Sequence, residues 1–270
     1  MLKCCLYSVA CILMFSCTTV QSKKSSVFFA DNPVVAHRGA FKKNGFPENS
    51  IASLKEAIRL GCTGSEFDVR MTADDSLIIM HDPHYQSKNI ETTTYSELAQ
   101  TPLSNGEQLP TLRAYLTAGL TNNRQTKLVV EIKPSPGGKE RGEKIAEKVV
   151  ALVRELNASR MVGYISFDYN ILKKIRALDA AAETQYLNGD RTPEQLKEDG
   201  MSGADYHFSV FRKNESWITT AQQLALVLNA WTVNSKTDME WFLSKRFNYI
   251  TTDEPELLLD VWQSDKGLKK

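Results

Sequence analysis

From Pro33 to Trp262, short β-branched runs alternate with stretches in which apolar residues recur every three or four positions. The short runs predict strands near 34–37, 64–69, 127–132, 162–166, 184–188, 204–208, 226–232 and 248–251. The longer patterns predict helices near 49–60, 111–118, 139–157, 168–179, 192–199, 215–224, 236–245 and 254–262. Strand–helix units repeated in this way, without an internal sequence repeat, point to an α/β fold, a closed (β/α)8 TIM barrel spanning 33–265. An open doubly wound sheet is the competing architecture, but no Gly-rich dinucleotide turn follows any of these strands.

One apolar run, Leu77–Met80, is left over. It follows the polar turn Ala73–Ser76 too closely for a crossover helix, so it folds back antiparallel on the strand before it. With the turn centred on Asp74–Asp75, the register brings His81 opposite Asp68. Residues 83–110 then form an insertion after the second barrel unit, with one helical turn at Ser96–Gln100. A long connection of this kind shapes a barrel mouth.

Composition changes this picture little. The 33 basic and 32 acidic side chains of the 270-residue chain balance, so no global field favours nucleic acid, and none is expected as a partner. The N-terminus changes it more. A basic start at Met1–Lys3, an apolar run at Leu6–Phe15 and Ser16–Cys17 resemble a bacterial lipoprotein signal covering 1–17, with Cys17 as the lipidated first residue. A plain secretory signal is the alternative. Residues 18–32, rich in Ser, Thr, Lys and Asn, read as a flexible tether. The expected location is the cell envelope, periplasm or outer membrane, with the lipid anchor as the membrane partner. Cys4, Cys5 and Cys11 leave with the signal, so Cys62 remains alone, a small buried hydrophobe without a disulfide.

The chemistry gathers at strand ends. Glu66 and Asp68 are two apart on one strand and point to the same side. With Glu131 from the third strand they offer three acidic oxygens, a set that suits one divalent cation, Mg2+ or Ca2+, better than Zn2+. A strand-end ion pair, such as Glu131 with Arg70, is the competing reading. Arg38 offers a fork of donors for phosphate oxygens, and Lys133 adds a second positive charge. His37 and His81 come from different strands, and imidazole is the side chain best suited to proton transfer near neutral pH. Trp231, Phe167 and Tyr186 end strands and are candidate substrate-lining residues. His207 reads as a satisfied barrel residue and His84 as a loop-surface one.

The ordered set HRG…PENS, E-F-D, H-D-P and E-I-K, followed by Pro110–Thr111–Leu112, Trp231–Thr232–Val233–Asn234 and Ile250–Thr251–Thr252–Asp253, closely resembles the glycerophosphodiester phosphodiesterase family over most of 33–262. The resemblance implies a TIM barrel that uses a divalent cation to hydrolyse glycerophosphodiesters to sn-glycerol 3-phosphate and an alcohol. It assigns His37 and His81 as the acid–base pair, Glu66, Asp68 and Glu131 to the metal, and Arg38 and Lys133 to the phosphate. Glu48 matches a family position near the metal and glycerol; capping of a helix starting at Asn49 is its other reading. The chain departs from the family after Pro83. Many members carry an arginine- and threonine-rich segment there, whereas this chain has His84–Asn89. Two other functions are compatible with the same barrel: a lyase or phospholipase D-like enzyme acting on intact lipid, and a lipoprotein that binds phosphodiesters without turnover.

Overall fold

The computed structural model describes residues 27–268. In chain order the elements are β1 (Val34–Ala36), α1 (Ile51–Leu60), β2 (Gly64–Met71), β3 (Leu77–Ile79), β4 (His84–Tyr85), β5 (Lys88–Asn89), α2 (Tyr95–Leu98), α3 (Leu112–Leu120) and β6 (Lys127–Ile132). There follow α4 (Gly138–Glu155), β7 (Val162–Ser166), α5 (Tyr169–Leu178), β8 (Thr184–Tyr186), α6 (Pro193–Glu198), β9 (Gly203–His207), α7 (Phe208–Lys213), α8 (Glu215–Gln223), β10 (Val227–Trp231), α9 (Lys236–Ser244), β11 (Tyr249–Thr252) and α10 (Pro255–Leu268).

Eight of these strands are parallel and run β1-β11-β10-β9-β8-β7-β6-β2. The ring closes where β1 pairs with both β11 (Val34 with Ile250) and β2 (Val35 with Gly64). Nearly every residue in the eight is buried. That is why they read as apolar runs rather than alternating ones, since helices cover their outer faces and side chains fill the interior. Inside the barrel, Val35, Val129, Ile165 and Leu187 cluster with Phe167, Trp231 and Tyr249. Ser50, Thr111, Asp168, Thr192 and Ser235 each cap a helix through a side-chain oxygen. Each such cap contributes about 1 kcal/mol.

The expected hairpin forms, with β3 antiparallel to β2 and Arg70 opposite Ile78. Its register differs from the expected one. Thr72 Oγ1 donates to Asp74 and accepts from the Ser76 amide, and Thr72 N donates to Ser76 O, so a five-residue turn centres on Asp74. Met80 rather than His81 therefore faces Asp68, with Met80 N donating to Asp68 O at 3.0 Å.

The insertion carries its own small core. Gln86 and Ser87, both at positive φ, turn β4 into β5. The helical turn starts at Tyr95, one residue early, on a capping box of Thr94 and Glu97. Tyr85, Ile90, Leu98 and Leu109 pack on Ile78 of β3. A further helix, α7, was not expected. His207 caps it, accepting from Ser209 N, so this histidine is satisfied locally. His84 is exposed, and Cys62 is buried with its thiol pushed up to about 12 by burial.

Residues 28–32, the last part of the expected tether, pack on the barrel. Phe28 N donates to Arg124 O, Ala30 N to Gln125 O, and the Asn32 amide to Gly61 O, tying 28–32 to the N-terminal end of the barrel. The signal segment, Cys17 and residues 18–26 lie outside the described residues. Among the described residues, no helix is long and apolar enough to cross a membrane.

Candidate active site

At the C-terminal end of β1 the ladder continues one residue further, His37 N donating to Thr252 O at 3.0 Å. The chain then reverses through two left-handed residues, Arg38 (φ 52°) and Gly39 (φ 81°). Position 39 needs glycine for a second reason as well: a Cβ there would lie 2.6 Å from the Ser53 carbonyl carbon. This reversal aims the Arg38 amide at Glu66 Oε2, 2.9 Å away, so a backbone donor serves a carboxylate on the neighbouring strand.

Glu66, Asp68 and Glu131 converge as their positions on β2 and β6 dictate, for Asp68 is the direct partner of Glu131 in the parallel register. All three are buried, and one oxygen from each lies within 4.8 Å of the others. Lys133, also buried, places its ammonium 2.7 Å from both Asp68 Oδ1 and Glu131 Oε1, as ion pairs with poor hydrogen-bond alignment. Arg38 Nε stands 3.6 Å from Asp68 Oδ2. Asn49 locks the same carboxylate, its amide donating to Asp68 Oδ2 at 2.8 Å and its carbonyl accepting from Asp68 N at 3.2 Å.

Three crowded acids cannot all ionise easily. Burial, then the charges of Asp68 and Glu131, push Glu66 well above the carboxylate range. Burial and Asp68 raise Glu131 to about 7, against the pull of Lys133. Burial also penalises Asp68, but Lys133, His81 and the Asn49 hydrogen bond outweigh it and hold that group down to about 2. Glu66 Oε1 is buried with no hydrogen-bond partner. Converging carboxylate oxygens, one of them orphaned and with no sulfur or imidazole in the set, fit a hard divalent cation.

The two histidines are held differently. His37 Nδ1 bonds Asp253 Oδ1 at 2.7 Å, and Asp253 is fixed in turn by the Asn234 amide at 2.7 Å. His37 Nε2 is thereby turned toward Glu66, 3.9 Å from its Oε2. His81 Nδ1 bonds Asp82 Oδ1 at 2.8 Å, and burial lowers its pKa although Asp68 opposes this. Arg38 is penalised by burial, yet its bond to Glu48 and the charges of Asp68, Glu48 and Glu66 raise its pKa overall.

These groups open onto one cavity of about 480 Å3, counting the space open to solvent, at the C-terminal end of the barrel. Its polar side is His37, Arg38, Glu66, His81, Glu131 and Lys133; its apolar side includes Ile165, Phe167, Leu187 and Trp231. Phe167 and Trp231 meet edge to face with centroids 5.5 Å apart. Of the three aromatics expected to line the mouth, Phe167 and Trp231 line this cavity and Tyr186 does not. On β8, Gln185 and Leu187 face the barrel interior, so Tyr186 points outward and packs on Tyr169 and Tyr206. Glu48 caps no helix, since Ser50 caps α1; it pairs with Arg38 at 2.5 Å. The Glu131–Arg70 ion pair does not form, for Glu131 meets Lys133 instead.

Sequence reasoning missed Asp253, Asn49 and Asp205. Asp253 had a signal, because its Thr-Thr-Asp run closes the last strand as His-Arg-Gly closes the first. Asp205 lines the cavity from β9 with Oδ1 buried and unpartnered, its pKa raised by burial and by Glu131.

Comparison with known proteins agrees with this geometry. Residues 37–257 match the model of the glycerophosphoryl diester phosphodiesterase family. The crystal structure of a glycerophosphodiester phosphodiesterase from Parabacteroides distasonis is 37% identical, with a TM-score of 0.85, covering 88% of this chain and 99% of that one. A glycerophosphodiester phosphodiesterase from Caldanaerobacter subterraneus subsp. tengcongensis is 27% identical over 248 residues, 84% of this chain and 96% of the relative. An Oleispira antarctica phosphodiesterase, solved in complex with the product sn-glycerol-3-phosphate, has the same fold at 22% identity and a TM-score of 0.74, over 84% of this chain and 95% of that one. The chain belongs to the glycerophosphoryl diester phosphodiesterase family, as a hydrolase of phosphoric diesters.

Proposed function

We propose that the chain hydrolyses deacylated phospholipids, such as glycerophosphocholine or glycerophosphoethanolamine, to sn-glycerol 3-phosphate and an alcohol. The observation that carries this reading is the meeting in one cavity of two histidines with a buried carboxylate triad, Arg38 and Lys133. Glu66, Asp68 and Glu131 would hold one Mg2+ or Ca2+, which when bound supplies positive charge to polarise a phosphoryl oxygen. Arg38 and Lys133 bind the remaining phosphate charge. His37, oriented through Nδ1 by Asp253, presents Nε2 to the cavity; His81, oriented by Asp82, does the same. One imidazole takes the proton of the attacking oxygen, of water or of the glycerol hydroxyl, as it bonds to phosphorus, and the other protonates the leaving alkoxide as the P–O bond breaks; where the glycerol hydroxyl attacks, water then opens the cyclic phosphate.

The cavity and its Phe167–Trp231 wall suit a small head group better than a diacyl lipid. We also propose export and lipidation at Cys17. Residues 28–32 join the barrel at the end opposite the mouth. The test follows release of sn-glycerol 3-phosphate from several glycerophosphodiesters after chelation and after adding back Mg2+ or Ca2+. Cation-dependent release is expected. A persistent cyclic phosphate would identify a lyase, and tight binding without turnover a binding protein. The anchor is tested by the mass of membrane-extracted protein; a cleaved chain without acyl groups would refute it.

A further inference from the structure

We propose that Arg70 is the positioning residue for His81, an inference that rests on the acid–base role of His81 proposed above. Gly64, Glu66, Asp68 and Arg70 occupy alternate positions on β2 and so share a face. Arg70 is the last of the row, beyond the carboxylates and toward the mouth. It pairs with neither acid. Its guanidinium reaches across to the returning hairpin, where Nε and one terminal nitrogen both donate to the carbonyl of His81, at 2.9 and 2.7 Å. A planar fork on a single oxygen fixes that carbonyl in direction as well as distance, and the donor charge strengthens both bonds.

The need for such a clamp follows from where His81 lies. His37 extends a barrel strand and is tied by its amide, by Asp253 and, through Asp253, by Asn234. His81 stands outside the barrel, just past β3, where the ladder has ended with Met80 N on Asp68 O. Its ring partner, Asp82, is 71% exposed and so holds it weakly. The half-buried fork from Arg70 is thus a side-chain connection between the second histidine and the strand that carries Glu66 and Asp68. It ties the spacing of acid and base to the spacing of the carboxylate cluster.

Arg70 also lies in the field of Asp68 and Glu131, so a charge effect on those carboxylates must be separated from a positional effect on His81. The variants R70K and R70A, alone and combined with H81A, make the separation, with kcat, KM and the cation concentration for half-maximal activity measured on each. A misplacement of about 1 Å at a catalytic group costs about 100-fold. R70A is therefore expected to lower kcat by about that factor with KM and cation dependence little changed, and added guanidinium is expected to restore part of the loss. R70K keeps the charge but loses the fork, and is expected to fall by a similar order. In the H81A background, R70A should cost less than about threefold, because the residue it positions is gone. Full multiplication of the two losses, or a shifted cation dependence with normal kcat at saturation, would overturn the proposal. An R70K enzyme of wild-type kcat would overturn it even if R70A failed to fold. Near-normal turnover of H81A alone would instead remove the acid–base reading beneath it.

Discussion

Lys133 offers the sharpest test of the electrostatic design. Its ammonium lies 2.7 Å from Asp68 Oδ1 and 2.7 Å from Glu131 Oε1, with 8% of its side chain exposed. At an effective dielectric constant of about 20, each contact is worth about 6 kcal/mol of gross attraction. Desolvation of the ammonium offsets several kcal/mol of this, and removing one partner of a buried cluster costs about 3–5 kcal/mol net. In Lys133→Met the aliphatic volume is kept, so the loss is one of charge. Asp68 and Glu131 then face each other across the register with Glu66 beside them. For a domain of this size the cost corresponds to a fall in Tm of about 6–20 °C in metal-free protein. A dication among the same oxygens supplies the charge that Lys133 no longer does. Saturating Mg2+ or Ca2+ should therefore raise the Tm of the variant by more than it raises that of the wild type. Thermal unfolding followed by circular dichroism, after chelation and after cation addition, reads both effects. A variant as stable as wild type without cation, or one that gains no more than wild type with it, would refute the reasoning.

In Asp253→Asn, the amide must put its nitrogen either against the Asn234 donor or against His37 Nδ1, and the second choice takes the free lone pair from Nε2. A fall in kcat of about 100- to 1,000-fold with little change in KM is expected in steady-state assays, and unchanged kcat would show that His37 is oriented otherwise. Cation stabilisation should grow with pH. Glu66 and Glu131 have raised folded-state pKa values, so their contribution to the metal-free fold is complete below the ordinary carboxylate range and is lost as pH rises toward about 7 for Glu131. Asp68, held down to about 2, behaves oppositely and loses its contribution only as pH falls that far. The Tm gain from cation should thus be larger at about pH 8 than at about pH 5, and a gain independent of pH would contradict the raised pair. Tyr186→Phe should leave kcat/KM within about twofold because the ring faces the helices; a large loss would place it back in the mouth.

What the chain displays openly is whatever burial forces on it. The barrel strands are buried on both faces and so stand out as apolar runs, and Glu66, Asp68 and Glu131 stand out because carboxylates at the ends of such runs need a reason. What stays hidden depends on parity or reach. In Thr184–Gln185–Tyr186–Leu187, one step decides which residue enters the barrel, and no charge marks the choice. The half-step in the hairpin comes from Thr72 closing the turn through its hydroxyl, a local bond that the apolar pattern does not record. Arg70 is long enough for Glu131 or for the His81 carbonyl. Only the packed position of Lys133 between the acids settles the matter.

The two histidines proposed as acid and base therefore belong to different parts of the molecule. His37 is built into the closed ring, where β1 is held on both sides and Asp253 comes from the neighbouring strand. His81 belongs to a hairpin whose other face carries the insertion, because Ile78 shares its small core with Tyr85, Ile90, Leu98 and Leu109. The segment His84–Asn89 folds as part of that same unit. A change in the insertion is thus transmitted to β3 and His81 through packed side chains, and to α1 beside Asn49 through Glu107, which accepts from Ile51 N and Ala52 N. Packing of this kind gives the charged clamp from β2 its use: without the fork of Arg70, a shift of the loop would carry the imidazole of His81 away from that of His37.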